Sequence, residues 1–150
     1  MSEDKKIEEQ LFSEESILKR SRSVSMMPFY GIISFCKEKN ISPLEFGEHV
    51  GKVAAPTWSN VKDAPAKTIA MYFAWNMAPY GAEKYHFEGD EKEAKIVVED
   101  WPNEEEMKAW GIDKQDLEIM FAMNKPILDY LGMTHESKIE DDKITIKLKK

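Results

Sequence analysis

The sequence predicts an α+β fold: helices on one face of a small, mostly antiparallel sheet made from two hairpins, at about residues 84–99 and 133–149. Three observations carry this prediction. Apolar residues recur at helical spacing from Ser13 to Gly81 and again from Asn103 to Gly132. Between and after those stretches the period changes to alternation, as in Ile144, Ile146 and Leu148 against Lys143, Lys147 and Lys149. Each alternating stretch holds its own turn signal, Gly89-Asp90 in the first and Asp141-Asp142 in the second. A lone ribbon cannot bury its apolar face, so the two hairpins are expected to share one sheet of at least four strands.

Residues 1–12 read as a flexible acidic arm, with Ile7, Leu11 and Phe12 as the large apolar anchors; residues 13–150 read as a single α+β domain. Ser13 is placed to cap the first helix, with Glu14 and Glu15 in the turn where the helix dipole favours negative charge. Pro28 lacks a backbone donor, which predicts a break or kink near Met27 and a second helical segment from Pro28 to about Glu38, closed at Asn40. Ser42, Pro43 and Glu45 combine an N-cap, a proline at the first helical position and a glutamate three after the cap. That helix is expected to run to Ala55, followed by a connection over Thr57 to Asn60. Asp63, Ala64 and Pro65 open a helix that is apolar nearly all round and ends at Gly81. After the first hairpin, Asn103 caps a short helix closed by Gly111, and Asp113 caps a longer one kinked at Pro126 and ended by Gly132.

At 150 residues, with 42% hydrophobic and 33% charged residues, the chain has the composition of one compact domain. It can hide roughly two thirds of its unfolded surface. The 28 acidic and 21 basic side chains give a net charge of -7, which repels a phosphate backbone, so no nucleic-acid partner is expected. One cysteine, Cys36, forms no internal disulfide, and the charged N-terminal residues lack a secretory pattern; a cytoplasmic setting is expected. No apolar run approaches a bilayer-spanning length, so no membrane partner is expected either.

The chain has no phosphate loop, dinucleotide fingerprint, GxSxG elbow, HExxH or CxxC pair. Its three histidines, His49, His86 and His135, fall on three different elements and share no metal-ligand spacing, so neither a metal nor a cofactor is expected. Cys36 lies in an apolar run that raises a thiol pKa and reads as a small core residue. Glu45 and His49 are four apart on one helix face, where a carboxylate either orients an imidazole base or simply supports the helix. Aromatic residues gather between positions 56 and 87. Trp58, Tyr72, Trp75, Tyr80 and His86, together with Trp101, combine flat apolar bodies with polar tips, the composition of a small-molecule pocket and equally of a core.

In the second half, a strand ending in Asp100-Trp101-Pro102, a helical Leu131-Gly132 and a closing hairpin with an Asp turn resemble the L-2-amino-thiazoline-4-carboxylate hydrolase-like and 4-vinyl-reductase-like domains. The resemblance covers the last third to half of the chain. Members commonly place cysteine before that proline and near the final hairpin; this chain has Trp101 there and no cysteine after Cys36. The resemblance implies an α+β ligand-binding fold that acts as a small-molecule sensor or hydrolase relative and often dimerises.

The leading expectation is a sensor-like domain that binds a small molecule between the 64–81 helix and the first hairpin, and that forms a homodimer. The alternative is a hydrolase of a small heterocyclic or amide substrate, with His86 or His49 as base and Asp100 or Glu45 orienting it or the attacking water. A third reading is a structural subunit that uses its tryptophans as an interface.

Overall fold

The computed structural model describes Leu11 and residues 13–150; the arm expected over residues 1–12 lies, Leu11 apart, outside the described residues. Helix α1 spans Glu14–Lys39. The Ser13 hydroxyl accepts the Ser16 N–H at 3.2 Å, and Asn40 closes the helix at φ 54°. Of the break or kink expected near Met27, no break occurs, because the helix continues through Pro28. Proline removes one hydrogen bond, but Met26 on one side of it and Tyr30 and Ile33 on the other are buried in one core. Packing on both flanks holds the helix together across the missing donor.

Helix α2 spans Pro43–Ala54, and the Ser42 hydroxyl accepts the Glu45 N–H at 3.4 Å. Its Gly47 and Gly51 are buried against α5, which spans Glu118–Tyr130. A Cβ at Gly47 would stand 2.7 Å from the Ile119 carbonyl oxygen, and one at Gly51 would collide with the Met123 carbonyl. Only glycine lets these backbones approach so closely. The connection expected at residues 57–60 is a 3-10 helix, Ala55–Val61. Helix α3, Ala66–Met77, then passes into a 3-10 turn, Ala78–Tyr80, closed by Gly81 at φ 97°. The first α3 amides, of Ala66 and Lys67, donate to the Glu91 and Asp90 carbonyls at 3.0 Å, fastening the helix to the first hairpin's turn.

Strands β1 (Lys84–Gly89), β2 (Glu93–Glu99), β3 (Thr134–Glu140) and β4 (Lys143–Lys149) form one antiparallel sheet in the order β1-β2-β4-β3. The hairpins therefore join through their second strands, with Ile96 opposite Ile146 and Val98 opposite Ile144. Those four residues, with Ala94 and Leu148, form the buried face against the helices. The other face carries charged residues such as Lys95, Lys143, Lys147 and Glu136. Between the hairpins lie α4 (Glu104–Ala109), capped by Asn103, a 3-10 turn at Lys114–Leu117, and α5. The long helix expected from Asp113 is thus split, and Pro126 lies inside α5 without ending it. The five α-helices among the described residues and this sheet are the predicted α+β architecture.

Candidate functional site

The antiparallel joining of β2 to β4 brings the end of the first hairpin beside the turn of the second. Asp100 leaves β2 at φ 53°, a left-handed conformation, and its N–H donates to the Asp142 carbonyl at 2.9 Å. Trp101 then turns inward: its ring is buried and its Nε1–H donates to the Tyr80 carbonyl at 2.9 Å. The Trp101–Pro102 peptide is cis, and Asn103 Oδ1 accepts the Glu106 N–H at 3.0 Å to start α4.

A cleft of about 240 Å³ opens between this corner and the second hairpin. Its apolar lining includes Trp101, Met107, Leu117, Ile139 and Ile144. Charge of both signs surrounds it, from Asp100, Glu104 and Asp142 on one hand and Lys114 and Lys143 on the other. The Lys84 ammonium donates to Asp100 and holds that carboxyl below the ordinary aspartate range. Lys114 pairs with Glu104 at 3.1 Å, which lowers the glutamate, and also donates to the Asp141 carbonyl. Lys143 is held above its usual value by a hydrogen bond to Glu99, 3.1 Å away. An apolar floor with a few convergent charged groups is the ordinary make-up of a small-ligand site.

Of the residues singled out from the sequence, Asp100 and Trp101 line this cleft. The others lie apart from it. Trp58 is half-buried and stacked on Phe73, ring centroids 4.6 Å apart. Tyr72 and Trp75 form an edge-on pair at 6.2 Å on the exposed side of α3, where Trp75 is 69% exposed. Tyr80 is also largely exposed and contributes its carbonyl to Trp101.

His86 points away from the helices. Tyr85 and Phe87 pair with the core residues Val98 and Ile96, so the residue between them projects from the opposite face. There its Nε2 lies 3.3 Å from Glu99 Oε2, and Glu99 is lowered first by Lys143 and then by this imidazole. Glu45 and His49 are both exposed on α2, with no hydrogen bond between them. His135 sits half-buried on the core side of β3, where desolvation lowers its pKa. The three histidines occupy a helix surface and the two faces of the sheet. No group of three or more His, Cys, Asp and Glu side chains that could hold a metal ion occurs among the described residues.

Among the cleft residues that sequence reasoning missed are the charged Glu104, Lys114, Asp142 and Lys143. Asp141-Asp142 carried only a turn signal, and nothing local to the turn says that it abuts Asp100; that follows from the strand order.

No protein-family model and no curated protein matches the chain. Among solved structures, a mutant H-NOX protein from K. algicida, in its Fe(II) unliganded form, has 15% sequence identity and a TM-score of 0.37 over 76% of this chain. This chain spans 66% of that protein's length. Likeness at that level assigns neither fold nor ligand. No described helix is long and apolar enough to cross a membrane.

Proposed function

We propose that this chain is a small-molecule-binding, sensor-like domain, with its site in the cleft between Asp100 and Lys143. The observation that carries the reading is the pairing of an apolar floor with carboxylates and ammonium groups within one small concavity. Charges of both signs suit an amphoteric ligand, one with a carboxylate and a basic nitrogen on a small apolar body. The cleft is formed in part by Asp100-Trp101-Pro102, the segment behind the resemblance to the thiazoline-carboxylate hydrolase-like domains. That coincidence supports the reading. The hydrolase alternative has less support, because none of the three histidines lines the cleft.

Native mass spectrometry of freshly purified protein against its denatured mass, followed by titration with amino acids and small heterocyclic carboxylates, tests this. A retained or added small molecule is expected. Its affinity should fall roughly tenfold or more in Lys114→Ala and Asp142→Asn, which remove charged groups from the cleft. Binding that ignores both substitutions removes the site from this cleft. A second reading, an interaction surface, is favoured by the exposed Tyr72–Trp75 pair, since these residue types anchor many interfaces.

A further inference from the structure

Helix α1 has two apolar faces. Met26, Tyr30, Ile33 and Cys36 point into the core. At about 100° per residue, Ile17, Ser21, Val24, Pro28, Gly31 and Phe35 fall on the side away from it. Their spacing, 4-3-4-3-4, is the repeat by which one helix packs along another. Ile17, Val24 and Phe35 are 49%, 44% and 55% exposed, and a Cβ added at Gly31 meets nothing within 4 Å. A face of this kind on a surface helix of 26 residues lacks a partner among the described residues.

The order of side-chain sizes along the stripe identifies the occupant. It reads large, small, medium, medium, small, large, and so is nearly the same in both directions. Laid antiparallel on a copy of itself about a two-fold axis near Met26, the stripe sets Ile17 against Phe35, Ser21 against Gly31 and Val24 against Pro28. Bulk then meets bulk at the ends, and small residues let the backbones approach between. An isologous interface demands this reciprocity, in which one residue contacts a second and the second contacts the first. Charge agrees with size. Glu14 and Lys39 lie on the same flank of the stripe, at its opposite ends, and residues on one flank face each other in an antiparallel pair. Each Glu14 then meets a Lys39 across the axis.

We infer that the chain forms a two-fold dimer through α1, antiparallel, with the stripe from Ile17 to Phe35 as its seam. Sedimentation velocity of the full chain, from low to high micromolar concentration, tests it. A species of twice the 17.4 kDa chain mass is expected. Phe35→Glu and Gly31→Glu place a charge in the seam without touching the core, and each should raise the dimer dissociation constant roughly tenfold or more while leaving the circular dichroism spectrum unchanged. Glu14→Lys and Lys39→Glu should each weaken the dimer, and the double reversal should restore it. A chain monomeric at every concentration overturns the inference, as does a dimer indifferent to Phe35→Glu and Gly31→Glu. A double reversal that recovers nothing overturns the antiparallel arrangement. A monomer that Phe35→Glu destabilises against heat shows the stripe covered by its own chain, and that also overturns the dimer.

Discussion

Glycines on α1 and α2 show how the same residue type does opposite work in two helices. Gly51 sits where a methyl group would collide with the backbone of α5, and backbone cannot rotate aside as a side chain can. Gly51→Ala is therefore expected to push α2 from α5 and cost on the order of 1–3 kcal/mol, as overpacked cores do. Gly31 faces open space in a helix interior, so Gly31→Ala should instead stabilise the monomer by roughly 0.5–1 kcal/mol. Urea denaturation of both variants, at concentrations where the chain is monomeric, checks the pair; equal effects would refute the assigned contact. The two glycines are indistinguishable in the sequence, because what separates them is a helix some seventy positions away. His86 is a different case. Its alternation with Tyr85 and Phe87 was legible, and following that period places it on the solvent face with Glu99 rather than among the aromatics.

Proline at position 28 tests the balance between local preference and packing at the scale of the element. A proline inside a helix is about 3 kcal/mol less favourable than alanine. The helix nevertheless continues, anchored by Met26, Tyr30, Ile33 and Cys36. Pro28→Ala is thus expected to raise stability, by up to roughly 3 kcal/mol, without altering helix content. An unchanged or lowered thermal midpoint would mean that α1 already bends to fit the ring. Helix ends and turns were the readable part of these elements. Ser13, Ser42, Asn103 and Asp113 accept the backbone amides their cap positions imply, and Asn40 and Gly81 close their helices with positive φ. Tertiary effects were not readable: continuity through Pro28, the 3-10 winding of residues 55–61, and the meeting of Asp100 with Asp142 each depend on which elements become neighbours.

For the whole molecule, the charge arrangement fixes how stability follows pH. Asp90, Glu99, Asp100 and Glu104 all titrate below their usual values, Asp90 through backbone amides and the others first through lysine partners. A carboxyl lowered in the folded state binds fewer protons there than in the unfolded chain. Its contribution is complete above the unfolded value, about 3.9–4.3, and is lost as pH falls through the folded one. Lys37, Lys84, Lys125 and Lys143 are raised, chiefly by hydrogen bonds to carboxylates, so their contribution holds below about 10.4 and fades as pH climbs through the folded values. These groups alone would give a plateau between those limits. His135 cuts into its acid side. Half-buried on the core face of β3, it is lowered chiefly by desolvation, which outweighs the upward pull of Asp129, and Lys125 adds a smaller push downward. The unfolded chain therefore takes up the His135 proton first, and stability begins to fall once pH drops below about 6.5. Thermal midpoints measured from neutral pH downward should show a shallow decline starting there and a steeper one below about 4. His135→Gln should abolish the first decline and leave the second, because the carboxylate partners are untouched; a first decline that survives the substitution would place the titrating group elsewhere.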